Sequence, residues 1–396
     1  MKPLRSSLLA LIVYSAGTFS TNTALASTVV AWGQTSRPPG SPPSMTTNVP
    51  AGLVDAFALA GGPDVAYAIR TNGSVVTWGV PLLTSLTNVP PNLKDAIAIS
   101  AGTRHALGLR ANGKVVGWGE DQYGKTDAPA LLDRVMGVAV GLYSSAGLRR
   151  NGAVVAWGDY TFGDSTALPP GLNDAVGIAA ANTYGLALRR DGTVAAWGGR
   201  INHTNLSDMV KVPDGLSNVV AVAASYYEAF ALRDDGTVVH WGSGITPGPI
   251  PGLTQVWAMA PFYTSGLLAL KEDGTLVQAA IPPVPIPAGI SNVVAIGGVG
   301  TPFIALSRGP DEPFITQHPQ TQTVASGTAA TFQVTATAGQ LLSYQWQFNG
   351  VNLHGATDAT LAIPAAWPAQ AGHYRVVVAA AGLPITSRAA LLKVSP

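Results

Sequence analysis

The chain has 396 residues, 47% of them hydrophobic and only 11% charged, with a formal net charge of +1. It has no cysteine, which excludes disulfide scaffolds, thiolate metal sites and thiol nucleophiles. The low charge and abundant aliphatic residues exclude a disordered chain, and the near-neutral balance excludes the basic field that holds nucleic-acid phosphates.

Taken in chain order, Lys2 and Arg5 precede an apolar run from Leu8 to Val13, and Ala24-Leu25-Ala26 offers a small-x-small cleavage site. Residues 1–26 read as a secretory signal peptide cut near Ala26. The mature chain would carry a net charge of −1, without a membrane span, and reach the medium, the cell surface or the periplasm.

Repeats follow. Trp32, Trp78, Trp118, Trp157, Trp197 and Trp241 each close a Val/Ala-rich segment ending in Trp-Gly, spaced 46, 40, 39, 40 and 44 residues apart. Ala279 takes the Trp place in a further unit, 38 residues on. Each unit shows three strands. The first alternates large and small residues, as in Phe57-Ala58-Leu59, Ile97-Ala98-Ile99 and Val294-Ala295-Ile296, the period-2 mark of a strand. An Ala or Gly at the same place seven times implies strands converging on a crowded axis. The second strand resembles Ala106–Arg110 and the third Val115–Gly119. Between them stands Asn-Gly or Asp-Gly (Asn72-Gly73, Asn112-Gly113, Asp191-Gly192, Asp235-Gly236), the strongest short hairpin signal. A fourth, outer strand is expected in each Pro-rich connector.

A period near 40 with several strands per unit means a propeller. Seven first strands are present, the last at Asn292–Gly298. The third-strand segment Thr28–Gly33 has no partners before it, and the unit Ser291–Ser307 has no third strand after it. The expected fold is therefore all-β: residues 27–308 form a seven-bladed β-propeller closed by the N-terminal strand, which removes exposed sheet edges.

The units resemble the regulator-of-chromosome-condensation (RCC1-like) repeat family through Ala101-Gly102, Thr103-Arg104-His105, Ala-Leu-x-Leu, Asn-Gly-x-Val-Val-x-Trp-Gly and Glu120-Asp121-Gln122-Tyr123-Gly124-Lys125. The signal peptide, short repeats and opening Val29–Gly33 look most like its secreted β-lactamase-inhibitory branch. That resemblance implies a protein-binding module without catalytic activity.

Residues 309–313 read as a polar, Pro-flanked linker. Strand patterns then recur from Ala330 to Val394, with Trp346 twelve residues after Val334 and Tyr374 two before Val376. Residues 314–396 resemble an immunoglobulin-like β-sandwich, with its buried Trp and tyrosine corner. Val334 and Val376 stand where such domains often carry their disulfide. Its expected role is a spacer or adhesive module.

No nucleophile elbow, His-Glu-x-x-His, phosphate loop or dinucleotide fingerprint occurs. No enzyme activity, cofactor or metal is expected, and the acid pairs Asp234-Asp235 and Glu272-Asp273 read as hairpin turns. The Trp column reads as inter-blade packing. The column Arg70, Arg110, Arg149, Arg189, Arg233 and Lys271 reads as solvated turn cations. The variable loops after the first strands, joined by those after Trp-Gly, gather at one end. They bring Arg104, Tyr143, Tyr184, Tyr226, Tyr227, Phe262 and Tyr263 there, with Tyr123, Tyr160 and Phe162 extending the face. Tyr supplies contact area at low entropic cost. The expected function is a secreted, non-enzymatic grip on an extracellular or periplasmic protein. A carbohydrate-binding or polysaccharide-processing protein acting on cell-surface glycan is the alternative. Guanine-nucleotide exchange, by family analogy, is disfavoured by export and the missing basic face.

Overall fold

The computed structural model describes residues 27–33, 47–63, 65–79, 84–158, 166–199, 207–262, 266–279, 284–298, 303–309 and 312–395. The expected signal peptide, Tyr160, Phe162 and Tyr263 lie outside these residues. The described residues are almost entirely strand and turn, with four short 3-10 turns.

Before residue 308 the strands form seven antiparallel sheets. The first three contain Ala56–Gly62, Val65–Arg70 and Val75–Gly79; Ala96–Ala101, His105–Arg110 and Val115–Gly119; and Val135–Val140, Ser144–Arg149 and Val154–Gly158. The next three contain Ala175–Ala181, Tyr184–Arg189 and Val194–Gly198; Val219–Ala224, Glu228–Arg233, Val238–Gly242 and Ile245–Pro249; and Val256–Pro261, Leu267–Lys271 and Leu276–Ala279. The seventh joins the two ends of this region. Val293–Gly297 pairs with Phe303–Ser307, which pairs with Thr28–Trp32 in a register setting Thr28 against Ser307 and Trp32 against Phe303. First strands of successive sheets touch in chain order, and Val293–Gly297 also touches Ala56–Gly62.

Each first strand slips register near its start, between Ala56/Ala58, Ala96/Ala98, Val135/Gly137 and their cognates. These are β-bulges, which the period-2 pattern does not announce. The expected outer strand occurs once among the described residues, at Ile245–Pro249. In other connectors 3-10 turns stand instead, at Thr84–Thr87, Gln122–Gly124 and Ser207–Val210.

Two devices lock neighbouring sheets. The indole N–H groups of Trp118, Trp157 and Trp241 donate to the carbonyls of Leu86, Lys125 and Met209, each 32 residues earlier, at 2.8–3.0 Å. All six repeat tryptophans are buried, which bears out inter-sheet packing. At the opposite end, the turn glycines accept bonds from the next unit: Ala96 N–H donates to Gly73, Ala175 to Gly152 and Val219 to Gly192. Gly73 and Gly152 adopt φ of +82° and +88°, and a Cβ would lie 2.8 and 2.9 Å from the next unit's Asp95 and Asp174 Cα atoms. Glycine is required there by both conformation and space.

From Phe314 onward the strands form sheets of their own. The largest includes Ser343–Phe348, Gly372–Ala380, Leu383–Thr386 and Ala390–Ser395. Its Trp346 packs on Phe332 of the facing pair Ala330–Gln333/Thr360–Ile363, and Phe332 stacks on Tyr374 at 4.8 Å. The Tyr374 hydroxyl donates to Gln370 O at 2.8 Å, while Val334 and Val376 are buried without a cross-link.

This C-terminal part rests on the Asp-Gly turns of sheets four to six. Arg388 pairs with Glu272 at 2.7 Å, Lys393 donates to Asn218 Oδ1 at 2.5 Å, and Leu391 and Phe314 face Gly192 and Gly274. His318 packs on Trp257 at 5.0 Å. The described residues beside the expected linker form a buried clasp. Glu312 accepts from the Ser27 hydroxyl and faces Arg308 at 3.5 Å, and all three residues are buried.

Candidate functional site

With the turn end partly covered, the loop end is where variable side chains meet solvent. Its foundation is a collar of small residues at the tops of the first strands. A Cβ on Gly62 would lie 2.4 Å from Gly102 O, one on Gly102 3.3 Å from Gly141 O, and one on Gly141 2.8 Å from Asn182 O. Leu142 N–H donates across the same seam to Asn182 O at 2.8 Å. No larger side chain fits this crowding, so the functional side chains rise from the residues just beyond it.

Tyr226 and Tyr227 stand edge to face, ring centroids 4.6 Å apart. Burial first, then neighbouring Tyr227 and Tyr143, raise the Tyr226 hydroxyl above the usual phenol range. Tyr226, Asn182, Leu142 and Thr103 wall a shallow surface depression. Tyr227 is 43% exposed and Tyr143 partly so. Asn182 is buried in a left-handed conformation (φ 45°). Sequence reading placed Asn182 in this loop without assigning it a role; its tolerance of positive φ is the signal it carried.

Arg104 is partly exposed and pairs with Glu120 at 2.9 Å. Burial alone would raise the Glu120 carboxyl, but Arg104 and Lys125 hold it below its ordinary value. Tyr123 is 42% exposed, with its hydroxyl accepting from Gln122 Nε2.

Two expected contact residues are core. Tyr184 is 1% exposed; it begins a middle strand, and its hydroxyl donates to Ser225 O and Glu228 O in the next sheet. Burial drives it well above the phenol range. Phe262 is also buried, edge to face with Phe303 at 4.4 Å. Both side chains turn toward the adjacent sheet rather than outward.

The first position of the middle strand repeatedly performs this bridging. Glu228 accepts from Gly266 N–H at 2.6 Å and binds His240 Nδ1 at 2.5 Å. His105 Nε2 lies 2.8 Å from Ser145 Oγ. The Ser145 hydroxyl donates to Lys125 O, so its lone pair faces the His105 N–H. The imidazole therefore cannot draw a proton from that hydroxyl, the reverse of a nucleophile–base pair. Burial, aided by Lys125, lowers His105 to about 3, keeping it neutral.

Three members of the cation column are paired: Arg70 with Asp55 at 3.2 Å, Arg110 with Asp95 at 2.6 Å and Arg189 with Asp174 at 3.0 Å. Among the described residues no cluster of three His, Asp or Glu is positioned to hold a metal, and no helix is long and apolar enough to cross a membrane.

The regulator of chromosome condensation (RCC1) repeat matches residues 96–125. No curated protein matches the sequence. Human WBSCR16 is similar in structure, at 17% identity over 72% of this chain and 99% of its own, with a TM-score of 0.50. The CRINKLY WD40 ectodomain of the Arabidopsis thaliana receptor kinase ACR4 is similar at 17% identity over 63% of this chain and 96% of its own, TM-score 0.50. Yeast RCC1 (Prp20), solved bound to Kap60, matches at 18% identity over 62% and 64%, TM-score 0.40. At these identities the likeness is one of fold: an all-β chain with an RCC1 repeat and propeller neighbours.

Proposed function

We propose that the chain is an exported, non-enzymatic protein-binding module, built as a seven-bladed propeller that the strand Thr28–Trp32 closes. The C-terminal part, read as an immunoglobulin-like sandwich, covers part of the turn end. The partner, an extracellular or periplasmic protein, meets the loop end through Tyr143, Tyr226, Tyr227 and Arg104. Sheet pairing, the order of strand contacts and the buried Trp346/Tyr374 core support the architecture. The single observation carrying the function is the Tyr143–Tyr226–Tyr227 cluster beside an open depression. Rigid aromatic surface with polar tips suits protein recognition. A glycan reading would draw on the Trp column, but those rings are buried. The sequence likeness to the β-lactamase-inhibitory branch also favours a protein partner.

The test uses the mature chain as bait for proteins of its own extracellular compartment. Tyr226→Ala/Tyr227→Ala is expected to lower retention of the captured partner at least about 10-fold, as for interface anchors. Tm should stay within about 2 °C, because the loop lies outside the sheets. Undiminished capture would move the grip off this end.

A further inference from the structure

The third unit breaks the repeat pattern at the turn end in ways that all work against stability. In every unit the residue after the strand-ending position donates its N–H to a carbonyl 16 or 17 residues earlier: Thr71 to Asp55, Ala111 to Asp95, Arg150 to Arg134, Arg190 to Asp174, Asp234 to Asn218, Glu272 to Gln255 and Arg308 to Asn292. That accepting column is acidic or amide except at Arg134. Arg134 also adopts φ 49°, a left-handed conformation it shares with Asn218, Gln255 and Asn292 of the same column. Asparagine enters that region more readily than arginine.

Three residues earlier stands Leu131, 86% exposed. Its place in the Pro-x-x-Leu/Ile turn is held elsewhere by Gly52, Asn92, Gly171, Gly215 and Gly289. Arg134 and Arg149 share one carboxylate, Asp133, at 4.0 and 3.8 Å, and Arg149 also donates to Leu131 O at 2.6 Å. Burial and the neighbouring Arg134 cation both lower Arg150 from its ordinary value, a sign of like charges held together. The C-terminal part covers turns of sheets four to six, and none of its contacts described above reaches this loop.

An exposed apolar residue, a cation in a conformation favouring asparagine, and crowded guanidinium groups each oppose folding, and local rules are broken together chiefly where function requires it. We infer that Leu131, Arg134, Arg149 and Arg150 form a second docking surface, for a protein segment that carries carboxylates beside an apolar side chain. Guanidinium forks match carboxylates in geometry, and Leu131 needs an apolar cover. This surface lies at the end opposite the tyrosine cluster and does not rest on that cluster's role.

The probe is a fluorescein-labelled Glu-Leu-Glu-Glu-Leu-Glu peptide, titrated into the mature chain at 50 mM and 300 mM salt and read by anisotropy. Binding is expected to weaken at least 10-fold at the higher salt. Arg134→Asn uses a residue that the fold accepts in this column, and Leu131→Asn copies Asn92. Arg134→Asn should weaken binding about 10-fold and Leu131→Asn about 3-fold, while neither lowers Tm. Tyr226→Ala/Tyr227→Ala should leave this binding intact. Equal binding by both loop variants would overturn the proposal. So would equal binding of hexaglutamate, which lacks the apolar residue, or preferential binding of anionic phosphatidylglycerol vesicles, which would assign the cations to a lipid surface.

Discussion

At the loop end the units carry different residues above a collar of glycines; at the turn end they carry nearly the same ones, and the chain buries half of that end itself. Where the turn end stays open, Asp55 and Asp95 neutralise Arg70 and Arg110. Where the C-terminal part covers it, the same column becomes Asn218, Gln255 and Asn292, and Asn218 meets Lys393. An amide there offers a donor and an acceptor to the covering segment, as Asn218 does when it accepts from Lys393. The comparison teaches that repetition supplies a uniform face for internal docking, while departure from it marks faces open to partners.

Acid should break the covered end first. Burial lowers His318 to about 3, with Arg388 beside it, and lowers His373 to about 4, with Arg375, Arg190 and Asp191 nearby. Their folded values lie below the unfolded one, near 6.5. The stability they hold is complete above pH 6.5 and is lost as pH falls toward 4 and 3. Between pH 7 and 5 each should cost about 2 kcal/mol, so the covered end loses roughly twice what His105 costs the loop end. Urea unfolding at the two pH values checks this, and His318→Gln/His373→Gln should flatten the decline.

Next in size is Arg388→Ala, which removes the partner of Glu272. Glu272 is about a quarter exposed, so the expected loss is about 2 kcal/mol rather than the full cost of a buried pair. Hydrogen exchange should quicken at Asp235-Gly236 and Asp273-Gly274 while the loop end stays protected. Equal quickening at both ends would dissolve the contrast.

The smallest expected effect is a gain. Lys125 is fully buried where Leu86 and Met209 serve in other units, and burial lowers its pKa against the pull of Glu120. Arg104 still pairs with Glu120, so Lys125→Met should raise Tm by about 2–4 °C, measured calorimetrically.

Much of the strand plan was legible because its rules are local. Large–small alternation, Asn/Asp-Gly with positive φ, and the Trp-Gly ending each act within a few residues, and the ladder of Thr28–Trp32 against Phe303–Ser307 follows from counting strands. The weak extended pattern of the connectors did not separate Ile245–Pro249, which pairs as an outer strand, from those where 3-10 turns stand. Tyr184 and Phe262 were misassigned because a residue at a strand boundary can turn outward or toward the next sheet, and the neighbouring sheet decides which.

The amino-acid order alone determined the repeat, its strands, its turns and the burial of its tryptophans, since each depends on backbone preference and side-chain character within one unit. Only the tertiary structure decided which end the C-terminal part covers, that Ser27 meets Glu312 across 285 residues, and that two guanidinium groups share one carboxylate. Those outcomes come from contacts between distant segments, where exclusion of water gives charge and shape their weight.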